Sequence, residues 1–160
     1  MVEFHSRRDG TPAAVIRLNY SVELRYGVLV DIGRRVLGGE PVDATTGYLN
    51  CIWQGDACDM ILRALGHAAS PPCILNLTGP ETLSVRALAE RLGALLGRAV
   101  RIEGHEAETA LLSNPARAVE LLGPPPTPVD RVLRWTARWL ERGGRLLDQP
   151  THFEVRDGRY

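Results

Sequence analysis

Residues 73–97 read CILNLTGPETLSVRALAERLGALLG, and this stretch indicates how the chain folds. It begins with the apolar run Cys73–Leu77, which is typical of a strand buried on both faces of a parallel sheet. Residues 78–80 then predict a turn. Ser84 is suited to cap the helix that follows, in which apolar side chains recur at helical spacing until Gly97. A strand, a turn and a helix in this order predict one unit of an α/β fold.

The same alternation of strands and helices continues on both sides of this stretch. Residues 12–19 form a second apolar run that predicts a buried strand. The remaining expected elements are a helix over 25–37, a short strand over 48–53, a helix capped by Asp56, a strand over 98–103, and helices that begin after Asn114-Pro115 and Thr127-Pro128. Because strands alternate with helices, we expect parallel strand pairing.

Composition excludes several classes of protein. The chain has 160 residues, of which 44% are hydrophobic, and its 19 basic residues balance its 19 acidic ones. Nucleic-acid binding needs an excess of basic residues, and a membrane span needs about 18 consecutive apolar residues. Neither is found in the sequence. The first residues also lack the apolar block of a secretory signal, so we expect a cytoplasmic protein.

The cysteines and histidines do not suggest a metal site. Cys51, Cys58 and Cys73 include no CxxC pair, and no histidine pairs with a cysteine at ligand spacing. Each cysteine lies in an apolar or helical stretch, so we expect three reduced, buried cysteines and no metal.

In order and spacing, these elements resemble the carboxyl-terminal, substrate-side half of NAD-dependent epimerases and dehydratases, which are extended short-chain dehydrogenases. The resemblance rests on five segments: Val15-Ile16-Arg17-Leu18, Cys51 through Ala57, Leu75 through Val85, Ser113 through Gly123, and Thr136 through Trp139. It implies a partial Rossmann-type parallel sheet, formed by the last strands of the fold, with a small α/β substrate-capping subdomain. Residues 1–144 would form this domain, and residues 145–160, which lack periodicity, would form a tail.

The features by which this family performs catalysis are absent from the sequence. The resemblance implies a glycine-rich turn for the dinucleotide and a tyrosine followed four residues later by a lysine, but the chain has no such turn and no lysine. Residues 2–8 look like the end of the helix that carries the catalytic pair, so we expect the chain to begin within the fold. We therefore expect no catalytic residue and no turnover by this chain alone, because it lacks both the proton-transferring pair and the cofactor that supplies the hydride.

The resemblance also implies candidate binding residues. The loop after the first strand would place Asn19 and Tyr20 near the cofactor, and Ser21 and Val22 near the substrate. Tyr48, Trp53 and Arg117 are further candidates for substrate contact. At position 49 many relatives that act on nucleotide sugars have an arginine, and the leucine found here cannot pair with a phosphate.

Three functions remain open on this basis. The first is the substrate-binding half of an NAD- or NADP-dependent oxidoreductase that binds no cofactor by itself. The second is a non-catalytic module for a sugar-like or acyl ligand, and the third is a partner subunit. The third possibility follows from the predicted strand over 12–19. With its neighbour absent, this strand exposes backbone groups, which favours self-association or binding of the missing amino-terminal half.

Overall fold

The computed structural model describes residues 1–149 and 151–155. In chain order its elements are α1 (Val2–Asp9), β1 (Ala14–Leu18), β2 (Ser21–Val22), α2 (Val28–Gly38), β3 (Val42–Asp43), β4 (Tyr48–Leu49), β5 (Ile52–Trp53), α3 (Gln54–Ala64), a 3-10 turn (Leu65–His67), β6 (Cys73–Leu77), β7 (Leu83–Ser84), α4 (Val85–Leu96), β8 (Ile102–Glu103), α5 (Ala116–Leu122) and α6 (Val129–Glu141). The described helices include none that is long and apolar enough to cross a membrane.

The longest strands, β1 and β6, form a parallel pair. Their register runs from Ala14 opposite Cys73 to Leu18 opposite Leu77. Both strands were predicted from their apolar runs, and the parallel pairing confirms the α/β fold class. One layer of core lies beside this pair, where Met60 of α3 packs with Leu75 and Leu77.

Three shorter strand pairs complete the strand structure of the described residues. β2 pairs with β5 and β3 with β8 in parallel, whereas β4 pairs with β7 in antiparallel fashion. The prediction of one strand over 48–53 is therefore wrong, because β4 and β5 belong to different pairs. Asn50 and Cys51 interrupt the strand, and the carbonyl of Cys51 accepts a hydrogen bond from the Gly79 amide at 3.1 Å.

Helices α2, α4 and α6 pack against one another around the larger core cluster. Ile32, Leu92 and Leu133 are fully buried there, one from each helix. Gly33 allows the close approach of α2 to α6, since a Cβ at this position would lie 2.6 Å from Cδ1 of Leu140. The apolar stripes predicted for these helices are thus the faces that meet in the core.

The ends of α4 confirm the predicted caps. The hydroxyl oxygen of Ser84 accepts a hydrogen bond from the Ala87 amide at 3.3 Å, and Gly97 ends the helix in the left-handed conformation, with φ of 60°. Both features depend on neighbours within one turn of the chain, so the local sequence was sufficient to predict them.

Asp56 does not cap α3, contrary to the prediction. The helix begins earlier, at Gln54, and Asp56 is buried. Its two carboxylate oxygens accept hydrogen bonds from the Thr127 amide at 2.8 Å and from the Thr127 hydroxyl at 2.9 Å. Asp56 therefore joins α3 to the segment that enters α6, an interaction between residues distant in sequence.

The described part of the carboxyl-terminal segment, predicted as a tail, packs against the domain. The Leu147 amide donates to the carbonyl of Arg25 at 3.0 Å, and the Thr151 hydroxyl donates to Asp31 at 2.6 Å. Phe153 is only 3% exposed and belongs to the larger core cluster. The division between a domain and a tail at residue 144 remains a prediction. Residues 150 and 156–160 of the predicted tail lie outside those that the structure describes.

Candidate functional site

The first candidate site lies where the parallel strands β1 and β6 end. Ligands of open α/β sheets bind at the carboxyl ends of the strands, because loops and helix amino termini converge there. A cavity of about 310 Å³ at this edge, called the amide pocket below, is lined by Arg17, Leu18, Asn19, Asn76, Leu111, Leu112 and Ser113. It combines apolar walls with amide, hydroxyl and guanidinium groups, a combination that suits a small polar ligand.

Asn50 organises one wall of the amide pocket. Its side chain is buried, and its carbonyl oxygen accepts hydrogen bonds from the Asn19 side-chain amide at 2.9 Å and from the Ser113 backbone amide at 3.3 Å. Its own amide nitrogen donates to the Ser113 carbonyl at 2.6 Å. Asn50 thereby holds the segment before α5 against the loop that follows β1, and it orients two residues that line the pocket.

A second pair of amides lies beside this wall. The Asn76 side chain donates to the carbonyl of Asn114 at 3.2 Å, and the Asn114 side chain accepts from the Ala116 amide at 3.0 Å. The latter bond is local and starts α5, as expected for an asparagine before a helix. The former joins the segment before α5 to β6.

Arg17 provides the positive charge of the amide pocket. It is exposed, and within the described part of the chain it forms no ion pair and no side-chain hydrogen bond. Other arginines of the described residues form ion pairs, for example Arg86 with Glu106 at 2.7 Å. A guanidinium presents several donors in a fixed plane, so Arg17 can bind a carboxylate or phosphate group of a ligand.

The second cavity, called the tryptophan–proline pocket, has a volume of about 300 Å³. Trp53 forms part of its wall and meets Trp135 edge to face, with ring centroids 5.3 Å apart. The residues lining this pocket are Val22, Cys51, Ile52, Trp53, Gly79, Pro80, Glu81, Pro125, Pro126, Thr127, Pro128, Val129 and Val132. Asn50 and Cys51 are consecutive, so one short segment contributes to the structure of both pockets.

Cys51 is not a nucleophile in this environment. Burial, and secondarily the charge of Glu81, raises the pKa of the Cys51 thiol to about 12. A thiol with this pKa is protonated at neutral pH and therefore unreactive. Cys51 and Cys73 are buried as predicted, whereas Cys58 is exposed on α3, so the prediction of three buried cysteines is wrong for Cys58.

The residues predicted near the cofactor occupy the loop after β1. Asn19 lines the amide pocket, and its backbone amide extends the β1–β6 ladder by donating to the Leu77 carbonyl at 3.0 Å. Tyr20 has a φ of 41°, a conformation that few residues other than glycine adopt, and its ring packs against the larger core. Its carbonyl accepts from the Ile52 amide at 3.1 Å, so the loop turns from β1 into β2 at this residue.

The residues predicted to contact substrate are dispersed. Val22 and Trp53 line the tryptophan–proline pocket together, although Val22 is 1% exposed and also belongs to the core. Ser21 pairs with Ile52 in the β2–β5 ladder. Tyr48 is 44% exposed on β4, and Arg117 is exposed on α5; neither lines the two pockets. The assignment of these residues to substrate binding remains a prediction.

Sequence reasoning missed Asn50, Ser113 and Arg17 as site residues. Arg17 belongs to one of the segments that carry the family resemblance, but nothing in the sequence indicated an unpaired guanidinium beside a cavity. Asn50 and Ser113 are 63 positions apart, so no local pattern predicts their hydrogen bonds. In the described part of the chain no group of histidine, cysteine and acidic residues could hold a metal ion.

The turn between β6 and α4 tests whether the chain could hold a dinucleotide. Dinucleotide-binding turns use glycine to bring the backbone close to phosphate. Here a Cβ on Gly79 would lie 2.2 Å from the carbonyl oxygen of Cys51, so this glycine permits contact with the protein backbone instead. This turn is therefore packed against the segment around Cys51.

Together, the parallel pair and its flanking helices define a portion of a Rossmann-type α/β fold. Comparison with known proteins identifies which solved structures share this portion. No protein-family model and no curated protein matches the sequence.

The structural neighbours are NAD-dependent epimerases, dehydratases and related enzymes. UDP-glucose 4-epimerase of Thermotoga maritima, solved with UDP-glucose, has a TM-score of 0.71 and 19% identity over 89% of this chain and 50% of its own. dTDP-glucose 4,6-dehydratase of Bacillus anthracis, solved with NAD, has a TM-score of 0.67 and 17% identity over 88% of this chain and 48% of its own. RMD of Pseudomonas aeruginosa, solved with NADPH, has a TM-score of 0.69 and 18% identity over 88% of this chain and 52% of its own.

The chain thus has the fold of about half of an NAD-dependent epimerase or dehydratase, and it spans about half the length of these solved structures. This finding confirms the predicted resemblance and is consistent with the carboxyl-terminal half. At such low identities the similarity concerns the fold alone.

Proposed function

We propose that this chain is the substrate-binding half of an NAD(P)-dependent oxidoreductase of the epimerase/dehydratase type, and that it does not catalyse a reaction by itself. The observation that carries the proposal is the amide pocket, which lies at the carboxyl ends of two parallel strands with an unpaired arginine. The half-length match to solved epimerases and dehydratases supports the same proposal.

The lining of the amide pocket supports binding rather than catalysis. Asparagine amides, a serine hydroxyl and a guanidinium donate and accept hydrogen bonds, but none exchanges a proton readily near neutral pH. The sequence contains no lysine to form the catalytic pair of the family. The proton transfer and the nicotinamide chemistry would therefore be supplied by residues and a cofactor outside the described chain.

The ligand that these groups suit is a small sugar-like molecule with a carboxylate or a single phosphate. Amides of Asn19 and Asn76 can bind hydroxyl groups, while Arg17 can pair with the anionic group. Leu49 is fully buried in the core and offers no charge to a second phosphate. A sugar acid therefore suits this pocket better than a nucleoside diphosphate sugar.

The test is binding of a panel of sugar acids and the corresponding neutral sugars to the purified 160-residue chain. Chemical-shift changes in a ¹⁵N spectrum would report which amides respond. We expect Asn19, Asn76 and Ser113 to respond to a sugar acid, without any nicotinamide nucleotide. No response from these amides to any member of the panel would contradict the proposal, and so would turnover by the pure chain with NAD or NADP.

A charge-removing variant sharpens the test. We expect Arg17→Gln to weaken binding of a sugar acid by about tenfold, the effect of losing about 1.4 kcal/mol, because a charged hydrogen bond is lost. Binding of a neutral sugar should change little. Arg98→Gln is the matched control, since Arg98 is exposed and lines neither pocket.

The second candidate is a non-catalytic module that binds its ligand without any complementing half. The tryptophan–proline pocket favours it, because Trp53, Pro125 and Pro126 give this pocket apolar walls that suit an acyl ligand. Adding an amino-terminal half from a related enzyme distinguishes the two. Restored turnover supports the split oxidoreductase, whereas ligand binding with no turnover in the mixture supports the module.

A further inference from the structure

β1 has one strand edge that nothing in the described structure covers. The Cys73 amide donates to the carbonyl of Ala13 at 3.0 Å, and the Asn19 amide donates to the carbonyl of Leu77 at 3.0 Å. In a parallel ladder the N–H and C=O of one residue point to the same side, and successive residues alternate. The backbone groups of Ala14, Ile16 and Leu18 therefore point away from β6.

These outward groups have no partner within the described residues, where β1 pairs with β6 alone. The opposite strand is better protected: Cys73, Leu75 and Leu77 of β6 are buried, whereas β1 becomes exposed towards its end, where Leu18 is 48% exposed. β6 also pairs with β1 alone, but α5 packs against it, so the more accessible edge of the sheet is that of β1.

The strand also lacks the features that normally prevent pairing at an exposed edge. Natural edges are protected by proline, lysine, bulges or very short strands. The sequence of β1 is AVIRL, which contains neither proline nor glycine nor lysine. Its one charge, Arg17, lies on the face of the sheet opposite to Ile16, because side chains alternate along a strand.

We propose that the 160-residue chain forms a symmetric dimer in which β1 of two copies pair in antiparallel fashion about Ile16. In this register Ile16 exchanges both hydrogen bonds with the partner's Ile16, and Ala14 and Leu18 exchange theirs with the partner's Leu18 and Ala14. About six hydrogen bonds form, and they use all the outward groups of Ala14, Ile16 and Leu18.

The charges of β1 and of the whole chain are compatible with this pairing. In the centred register Arg17 lies opposite the partner's Val15, so that no like charges face each other directly. The chain as a whole has 19 basic and 19 acidic residues, so two copies do not repel at long range.

Pairing of two copies also enlarges a sheet that is small in one copy. An isolated two-stranded sheet is marginally stable, whereas four strands in the order β6–β1–β1–β6 share a continuous ladder. A two-fold axis closes the assembly after two copies, because each copy contributes its open β1 edge to the same interface. This inference does not depend on the ligand proposed for the amide pocket, but a complementing amino-terminal half would pair with the same edge of β1 and replace the second copy.

Amide hydrogen exchange on the full chain tests the register directly. In the dimer the amides of Ile16 and Leu18 are protected as well as those of Val15 and Arg17, whereas a free edge leaves Ile16 and Leu18 exchanging fast. Light scattering gives the mass of the species at the same concentrations. A chain that is monomeric throughout, or that forms larger assemblies, overturns the proposal, and so does a dimer in which Ile16 and Leu18 exchange fast.

Ala14→Pro is the most informative variant. It removes the outward N–H of residue 14 without removing a hydrogen bond to β6. Ala14 lines neither the amide pocket nor the tryptophan–proline pocket. We expect its mass to fall to that of one chain while its circular dichroism is retained; a dimer that persists contradicts the proposal. Leu18→Lys should weaken the dimer at least tenfold, whereas Leu121→Lys, at a comparably exposed site on α5, should not. If Ala14→Pro fails to fold, the exchange pattern of the unmodified chain still decides.

Discussion

Replacement of Asn50 tests whether the amide pocket is held by a buried hydrogen-bond cluster. Asn50→Ala removes three hydrogen bonds, at 2.6, 2.9 and 3.3 Å. Each is worth about 1 kcal/mol, so the free energy of unfolding should fall by about 3 kcal/mol. The assay is urea unfolding followed by tryptophan fluorescence.

Asn114→Ala is the matched control for this experiment. Its side chain is exposed and accepts one local hydrogen bond, from the Ala116 amide. We expect its loss to cost about 1 kcal/mol or less, because an exposed local hydrogen bond from a side chain to the backbone contributes no more than that. If Asn50→Ala is no more destabilising than Asn114→Ala, the reasoning about the cluster is refuted.

Asn50→Asp adds a dependence on pH whose sign is defined. The carboxyl group must donate to the Ser113 carbonyl to replace the lost amide, and only its protonated form can do so. The Asn19 and Ser113 amides donate to the other oxygen and favour the carboxylate, but burial and the Ser113 carbonyl oppose it. We expect burial to prevail, so that the pKa is higher in the folded chain than its value of about 3.9 in the unfolded chain. The variant should lose stability as pH rises above this value, whereas the unmodified chain should not show this loss.

Two further predictions concern the segment next to the pocket. Gly79→Ala should lower the free energy of unfolding by about 2 kcal/mol, because its Cβ would meet the Cys51 carbonyl oxygen. Gly66→Ala is the control and should not lower it, because the space around Gly66 is open. Equal urea midpoints for the two variants would contradict this prediction. Cys51, whose pKa is raised to about 12, should resist a thiol reagent at pH 8 in the folded chain, while exposed Cys58 reacts at once. A fast reaction that persists in Cys58→Ser would contradict the expected resistance of Cys51.

The local features of this fold were accessible from the sequence. The strand Cys73–Leu77 has the bounds that its apolar run predicted, and α4 begins after Ser84 and ends at Gly97. Such signals act between residues within one turn of helix or one strand, so a single sequence contains them completely. The resemblance to epimerases and dehydratases depended on the order of these local elements.

The candidate site was far less predictable. Asn19 lines the amide pocket, but its partner Asn50 lies 31 positions away, and Arg17 could be recognised as unpaired only from its surroundings. Asp56 looked like a helix cap until the structure placed Thr127 beside it. A polar residue serves equally well as a local cap or as a long-range partner, and the sequence cannot tell the two apart.

The sequence by itself determined the order of strands and helices, the fold class and the lack of a lysine, because these depend on residue types and on neighbours along the chain. Only the tertiary structure decided that Phe153 belongs to the core, that Asp56 binds Thr127 and that Asn50 holds the amide pocket. The reason is physical: a hydrogen bond or an apolar contact depends on distance in space, and chain closure brings together groups whose separation along the sequence conveys no information about their contact.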